Sequence, residues 1–246
     1  LVMSMALPMM LSMAFNSLYN IVDSYFVAKL SEDAMTALSL VYPAQNLLTA
    51  VAVGFGVGVN AMISFYLGAQ NQEKADKTAT QGIVLGVLHG VLLMLLFLCG
   101  MNWFLGMFTK SDAVRALGME YSNVVFLFSV IVTGGITLEK IFQAVGRMRA
   151  TMVSMIAGFV TNIVLDPLLI FGIGPFPRME IAGAALATGI GQVITLLVYI
   201  IYYVLDPLPV KLRRTYLRPE GEICGKTYGI GIPATLNMAL PSLLIS

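Results

Sequence analysis

Two aspartates lie inside apolar stretches of the 246-residue chain, and each has polar neighbours at helical spacing. Asn16, Tyr19, Asn20 and Asp23 are spaced 0, 3, 4 and 7, so a helix places them on one face. Such a stripe faces a cavity or another helix, where it either binds something or forms hydrogen bonds between helices. A carboxyl group in hydrocarbon costs about 2.5–3.5 kcal/mol, which makes Asp23 a candidate functional group.

The second aspartate, Asp166, lies four residues after Asn162 and shares a helix face with it. Pro167 has no N–H and therefore frees the backbone carbonyl of Ile163. Carboxylate, amide and carbonyl oxygens bind hard cations. Two carboxylates in one low-dielectric site either share a proton or hold a cation between them. The alternative is a simple proline kink, with Asp166 close to the lipid headgroups.

The composition indicates the kind of protein in which these groups lie. Hydrophobic residues make up 58% of the chain and charged residues 11%, against about 25% in soluble domains. The net charge of +1 argues against a nucleic-acid partner. One histidine and two cysteines provide neither a disulfide framework nor a zinc-type cluster. We therefore predict an all-α integral membrane protein in a lipid bilayer, with no cofactor and no enzymatic activity.

Runs of about 20 mostly apolar residues predict the membrane spans. Six complete spans are expected at about 4–29, 41–67, 82–108, 119–144, 150–172 and 181–204, and a seventh begins near Tyr228. The loops after the even-numbered spans, with the adjoining helix ends, hold most of the basic residues: Lys74, Lys77, Lys140, Arg147, Arg149, Lys211, Arg213, Arg214, Arg218 and Lys226. The positive-inside rule places these loops in the cytoplasm, so span 1 runs outward.

This orientation brings the polar groups to one depth. Asp23 and Asp166 each precede the outer end of their span by about six residues, or roughly 9 Å. Thr188 lies about 10 Å into span 6, and Tyr121 lies near the outer start of span 4. We expect these four side chains to lie in one layer of the outer half.

A short repeat predicts the domain organisation. Residues 8–14 and 233–239 both fit P-x-x-L-x-M-A, and the second copy follows the longest and most basic loop. Six spans per unit give both copies the same orientation, as in transporters built from two parallel halves. We predict a six-helix transmembrane lobe over 1–204, a cytoplasmic basic linker over 205–227, and the truncated beginning of a second lobe over 228–246.

Four segments together resemble the multidrug and toxic compound extrusion (MATE) family: residues 16–27, 143–149, 162–172 and 183–188. The resemblance implies a twelve-helix fold with two six-helix lobes around a central cleft. This chain would hold the first lobe and the start of helix 7. Members of the family export organic cations and drugs in exchange for Na⁺ or H⁺, so the resemblance implies multidrug efflux by antiport.

The resemblance is to the DinF-like branch, whose coupling site lies in the outer half of the first lobe. It implies that Asp23, Asn162, Asp166 and Thr188 bind the cation or proton, with Asp23 and Asp166 as metal ligands if the ion is Na⁺. Five residues are possible cavity-lining residues: Asn16, Tyr19, Asn20, Tyr121 and Gln192. The expected partners are small cationic or amphipathic substrates and the second lobe of the same polypeptide. The expected location is the plasma (inner) membrane of a bacterium or archaeon.

Three alternatives remain open from the sequence. A lipid-linked oligosaccharide flippase of the same superfamily would share the bundle but usually lines its cavity with arginines, and no predicted span interior contains one. An integral membrane enzyme would need catalytic groups that this chain offers only sparsely. The chain as given is also expected to be inactive on its own.

Overall fold

In the computed structural model, the described residues are 10, 11, 14, 18 and 21–245, with side chains described to residue 240. All regular structure among them is helical, which confirms the predicted all-α class. We call residues 21–28, the described end of the first helix, α1. The helices that follow are α2 Glu32–Gly68, α3 Gln72–Phe108, α4 Asp112–Leu127, α5 Ser129–Ala144, α6 Met148–Phe171, α7 Glu180–Leu205 and α8 Gly221–Ile245.

Helices α2 and α3 are longer than the predicted spans, at 37 residues each. Both extend at their N-terminal ends, where polar side chains cap the first turn. Ser31 accepts a hydrogen bond from the Ala34 backbone N–H at 3.0 Å, and Asn71 accepts one from Lys74 at 3.1 Å. An N-cap satisfies backbone donors that an apolar run alone would leave free, so the helices begin before the apolar stretches do.

The predicted fourth span consists of two helices, α4 and α5, bent by 47° at Phe128. The Ser129 hydroxyl donates to the Phe126 carbonyl at 2.7 Å and so satisfies a backbone group at the bend. The ring of Phe128 packs directly on Gly189 of α7, where any larger side chain would collide with it. The bend therefore fits one aromatic ring against the α7 backbone.

By length and apolar composition, four helices among the described residues could cross a bilayer, namely α2, α3, α6 and α7. The bent pair α4–α5 makes a fifth if it is counted as one span. Large apolar side chains are exposed on the outside of the bundle, among them Trp103 at 71% and Leu205 at 78%. Such an exterior is suited to lipid rather than water.

Two clusters of buried apolar residues form the core, one towards each end of the bundle. The first joins α1, α4 and the facing ends of α2, α3, α6 and α7, with Val27 and Tyr121 as members. The second joins the opposite ends of α2, α3, α6 and α7 to α5 and to the loop after α7. Helix α6 runs through both clusters, and its polar residues Asn162 and Asp166 lie on the stretch between them.

The segment after the first lobe is partly helical. Helix α7 ends at Leu205, as expected, but α8 already begins at Gly221, inside the predicted linker 205–227. Residues 221–227 are too polar to count as part of an apolar span, although they are helical. Residues 206–220 connect the two helices.

Candidate functional site

Helices α6 and α7 approach until their backbones touch. A Cβ atom placed on Gly191 would lie 2.8 Å from the carbonyl oxygen of Gly158, and one on Gly183 would lie 2.7 Å from the carbonyl oxygen of Leu169. Real side chains do not tolerate such separations, so only glycine fits at these two positions of α7. The close approach allows a short side chain on α6 to reach a short side chain on α7.

Asn162 uses this proximity to join the two helices. Its amide Nδ2 donates to Asp166 Oδ1 at 3.3 Å, one turn along α6, and to Thr188 Oγ1 at 3.4 Å on α7. Asn162 is 2% exposed and Asp166 is fully buried. The amide group therefore orients both side chains while its own carbonyl oxygen remains available.

Asp23 reaches the same place from α1. The helix docks through Val27, which is fully buried, and through Phe26, whose ring centre lies 6.1 Å from that of Phe171 at the end of α6. Asp23 itself is 7% exposed and lies close enough to Asp166 for the two carboxylates to repel each other. The structure thus brings Asp23, Asn162, Asp166 and Thr188 together from three helices.

Three oxygens of this group have no hydrogen-bond partner among the described residues, although all are buried. They are Asp23 Oδ1, Asn162 Oδ1 and Asp166 Oδ2. Buried polar atoms are ordinarily paired, because an unpaired one costs about 1–3 kcal/mol. All three accept hydrogen bonds or bind cations when the carboxyl groups are ionised, so the arrangement is suited to a proton or a small cation.

Of the five residues predicted to line the cavity, the structure describes two, Tyr121 and Gln192. Tyr121 is 1% exposed on α4 and packs in the first core cluster, and its hydroxyl accepts a hydrogen bond from Gln45 Nε2 at 3.3 Å. Gln192 is half-buried on α7, one turn after Thr188. Asn16, Tyr19 and Asn20 lie outside the described residues.

Gln45 was missed by the sequence analysis, although it is a polar residue within an apolar span. Its position two residues after Pro43 in α2 was the available signal. Its partner Tyr121 lies 76 positions further along the chain, so no sequence spacing could have paired them. The pair ties α2 to α4.

A second buried charged group lies on α5, towards the opposite end of the bundle. Lys140 Nζ lies 3.0 Å from Glu139 Oε1 and donates to Gln143 Oε1 at 3.1 Å. Gln143 in turn donates to Glu139 Oε1 at 2.7 Å. In this group each charge has a partner of opposite sign, whereas the carboxylates of the candidate site have none among the side chains that the structure describes.

The long apolar helices, the lipid-suited exterior and the buried charges define a multi-pass integral membrane protein. The particular family follows from comparison with known proteins. The sequence profile of the MatE family matches residues 8–168, so the chain belongs to this family. The family resemblance inferred from the sequence motifs is confirmed.

One sequence relative and two solved structures show the extent of the similarity. The multidrug export protein MepA of Staphylococcus aureus (strain NCTC 8325 / PS 47) is 31% identical over 239 residues, which is 97% of this chain and 52% of MepA. A solved outward-facing conformation of a multidrug resistance MATE family transporter of the MOP superfamily is 28% identical, with a TM-score of 0.88 over 95% of this chain and 51% of that chain. An inward-facing conformation of such a transporter is 30% identical, with a TM-score of 0.85 over 92% of this chain and 51% of that chain.

The chain therefore spans about half the length of the relatives that it matches. This agrees with the predicted fold class, a first lobe followed by the start of helix 7, which is α8 here because α4 and α5 together correspond to the fourth predicted span.

Proposed function

We propose that this chain is the first lobe of a secondary multidrug efflux antiporter in the plasma (inner) membrane of a bacterium or archaeon. Asp23, Asn162, Asp166 and Thr188 bind the coupling cation or proton, and the exported substrates are small cationic or amphipathic molecules. The observation that carries the proposal is the set of three buried, unpartnered oxygens contributed by α1 and α6. Membership of the MatE family and the likeness to a multidrug export protein support the transport class.

The electrostatics of the site explain why it would couple an ion to a conformational change. With both carboxyl groups ionised, Asp23 and Asp166 repel each other in a buried environment. A proton or Na⁺ removes the repulsion and favours the arrangement in which α1 stays docked against α6. Without the ion, the lobe is driven towards an arrangement that separates the carboxylates.

Antiport follows if the drug and the ion favour different arrangements. A ligand shifts a conformational equilibrium only by as much as it binds one state better than the other. The ion binds the docked state of α1 better, and the drug binds the other state better. Binding of either ligand then weakens binding of the other by the same factor.

The donor set allows both candidate ions. Na⁺ would be held by carboxylate and amide oxygens from Asp23, Asp166 and Asn162, with the Thr188 hydroxyl as a further oxygen. A proton would be shared by the two carboxyl groups. The experiment below distinguishes the two ions by imposing their gradients separately.

The test is transport of a fluorescent cationic dye by the full-length protein in proteoliposomes. A Na⁺ gradient and a proton gradient are imposed separately, and the gradient that drives efflux identifies the ion. We expect Asp23→Asn and Asp166→Asn to reduce gradient-driven efflux to background and to abolish drug resistance in cells, with membrane expression unchanged. Wild-type efflux and resistance in both variants would refute the coupling role.

Glu120→Gln is the matched control. Glu120 is an exposed carboxylate on α4, next to the buried Tyr121, and removing its charge leaves the buried oxygens unchanged. We expect wild-type efflux from this variant under the same gradient. A loss equal to that of the aspartate variants would mean that negative charge at this end of the protein, rather than the buried site, drives transport.

A further inference from the structure

The loop between α7 and α8 is fixed to the first turns of α3 by buried side chains. Asp76 Oδ1 accepts a hydrogen bond from the Lys211 backbone N–H at 2.9 Å. Thr80 Oγ1 accepts one from the Arg213 backbone N–H at 3.1 Å. Asp76 is 3% exposed and Thr80 is 4% exposed, so these bonds are shielded from water.

Gln81 holds the second half of the loop. Its amide donates to the Arg218 carbonyl at 3.0 Å and accepts from the Glu220 backbone N–H at 3.1 Å. Gln81 is 1% exposed. The backbone on either side of residues 214–217 is therefore held in one conformation, which is unusual for a segment that joins two long helices.

Most lysines near this loop are already neutralised. Lys74 and Lys226 both pair with Glu222, at 2.9 Å and 2.8 Å, and Lys77 pairs with Glu220 at 2.7 Å. These pairs use the acidic residues at the start of α8. They leave little negative charge for the arginines of the loop.

Three basic residues of the loop remain exposed and have no ion-pair partner in the described part of the chain: Lys211, Arg214 and Arg218. The side chain of Leu217, between the two arginines, is 48% exposed. Immediately before the loop, Val204 and Leu205 are 69% and 78% exposed at the end of α7. Apolar side chains this exposed at the end of a membrane helix are suited to lipid hydrocarbon, so we infer that the loop lies next to the membrane surface.

We propose that Lys211, Arg214 and Arg218 form a binding site for the headgroup of an anionic phospholipid, with Leu217 in contact with its acyl chains. A guanidinium group binds a phosphate oxygen pair through two parallel N–H donors, which matches a phosphodiester. The fixed backbone reduces the conformational entropy lost when the arginines are ordered by the lipid. This proposal requires only that the protein lies in a membrane and does not rest on the proposed transport function.

The exposed side chain of Leu217 lies between the basic residues in the sequence and favours a lipid headgroup over free inorganic phosphate as the ligand. Free phosphate gains nothing from Leu217, whereas a lipid buries it. A lipid is also confined to the surface where the loop lies, which raises its local concentration.

The test measures binding of dioleoylphosphatidylglycerol to the full-length protein in detergent, with dioleoylphosphatidylcholine as the neutral comparison. We expect phosphatidylglycerol to bind with an affinity that falls when salt is raised from about 0.1 M to about 1 M, since the Debye length shrinks from about 10 Å to about 3 Å. Arg214→Gln combined with Arg218→Gln is expected to weaken phosphatidylglycerol binding about 30-fold, from the gain per basic residue at an anionic surface. The pair Arg214→Lys and Arg218→Lys keeps both charges but loses the two parallel donors, so its affinity is expected to lie between that of the wild-type protein and that of the glutamine pair.

Lys29→Gln combined with Lys110→Gln is the charge-matched control, because both residues are exposed, have no ion pair among the described residues and lie in the loops after α1 and α3. We expect phosphatidylglycerol binding by this variant to equal that of the wild-type protein. The proposal is overturned if both double glutamine variants bind phosphatidylglycerol alike, or if the wild-type protein does not distinguish phosphatidylglycerol from phosphatidylcholine. It is also overturned if inorganic phosphate alone displaces the lipid, since the site would then be a simple anion site. The salt dependence of the wild-type protein tests the proposal even if a variant fails to fold.

Discussion

Replacing Gly191 with alanine tests whether the contact between α6 and α7 positions the candidate site. The added Cβ would lie 2.8 Å from the Gly158 carbonyl oxygen and 3.2 Å from the Asn162 Cβ. Ordinary van der Waals contact begins at 3.4 Å, so the first separation is short by 3.4 − 2.8 = 0.6 Å. A backbone carbonyl cannot rotate away as a side chain can, so the two helices must move apart.

The displacement affects stability and the site together. Overpacking of this kind typically costs about 1–3 kcal/mol, which exceeds the roughly 1 kcal/mol that alanine gains over glycine in a helix. The hydrogen bond from Asn162 to Thr188 is already 3.4 Å long, and a shift of a few tenths of an ångström would break it. We therefore expect a lower thermal unfolding midpoint and weaker ion-driven efflux from Gly191→Ala.

The assay compares Gly191→Ala with Gly135→Ala in the full-length protein, by thermal unfolding in detergent and by dye efflux from proteoliposomes. Gly135 is a buried helical glycine on α5, and a Cβ there would meet nothing within 4 Å. Gly135→Ala is expected to match or exceed the wild-type unfolding midpoint and to keep wild-type efflux. Equal midpoints and equal efflux for the two variants would refute the reasoning that the α6–α7 contact positions the site.

Two further predictions concern buried polar side chains elsewhere, each measured by thermal unfolding of the full-length protein. Gln81→Ala leaves the Arg218 carbonyl and the Glu220 N–H without their partner. We expect a loss of about 1–3 kcal/mol, and an unchanged midpoint would mean that water replaces both bonds. Lys140→Met leaves the Glu139 carboxylate, whose side chain is 15% exposed, without its cation and should cost about 1–3 kcal/mol, most of which is recovered when Glu139→Gln is added. A double variant no more stable than Lys140→Met would contradict this account.

The sequence predicted the all-α class and the approximate positions of the long apolar helices, because apolar length is a strong signal for membrane helices. It did not predict where α2 and α3 begin, because those ends depend on single capping residues, Ser31 and Asn71, that precede amphipathic rather than apolar turns. It also did not predict the bend at Phe128, which depends on a ring of α4–α5 meeting a glycine of α7. Contacts of this kind exist only after the helices have packed.

The candidate site was more accessible to sequence reasoning than the helix ends were. Carboxylates inside apolar spans are few, and depth along a helix follows from residue counting, so a common layer for Asp23 and Asp166 could be predicted. The rotation of each helix about its own axis could not be predicted from the sequence, since it is set by packing at positions such as Gly158 and Gly191. The sequence also could not show which oxygens lack a hydrogen-bond partner among the described residues, because that depends on the direction in which Asn162 donates.

The buried charged residues of α5 differ from those of the candidate site, and this difference is the strongest argument for a function at the candidate site. Glu139 and Lys140 neutralise each other, and Gln143 completes their hydrogen bonds. Asp23 and Asp166 have no such cation in the part of the chain that the structure describes. A buried charge without a partner is costly in a purely structural role. A site that is complete only when a proton or cation arrives is what ion coupling requires, so the unpartnered oxygens favour a role in transport over a role in stability.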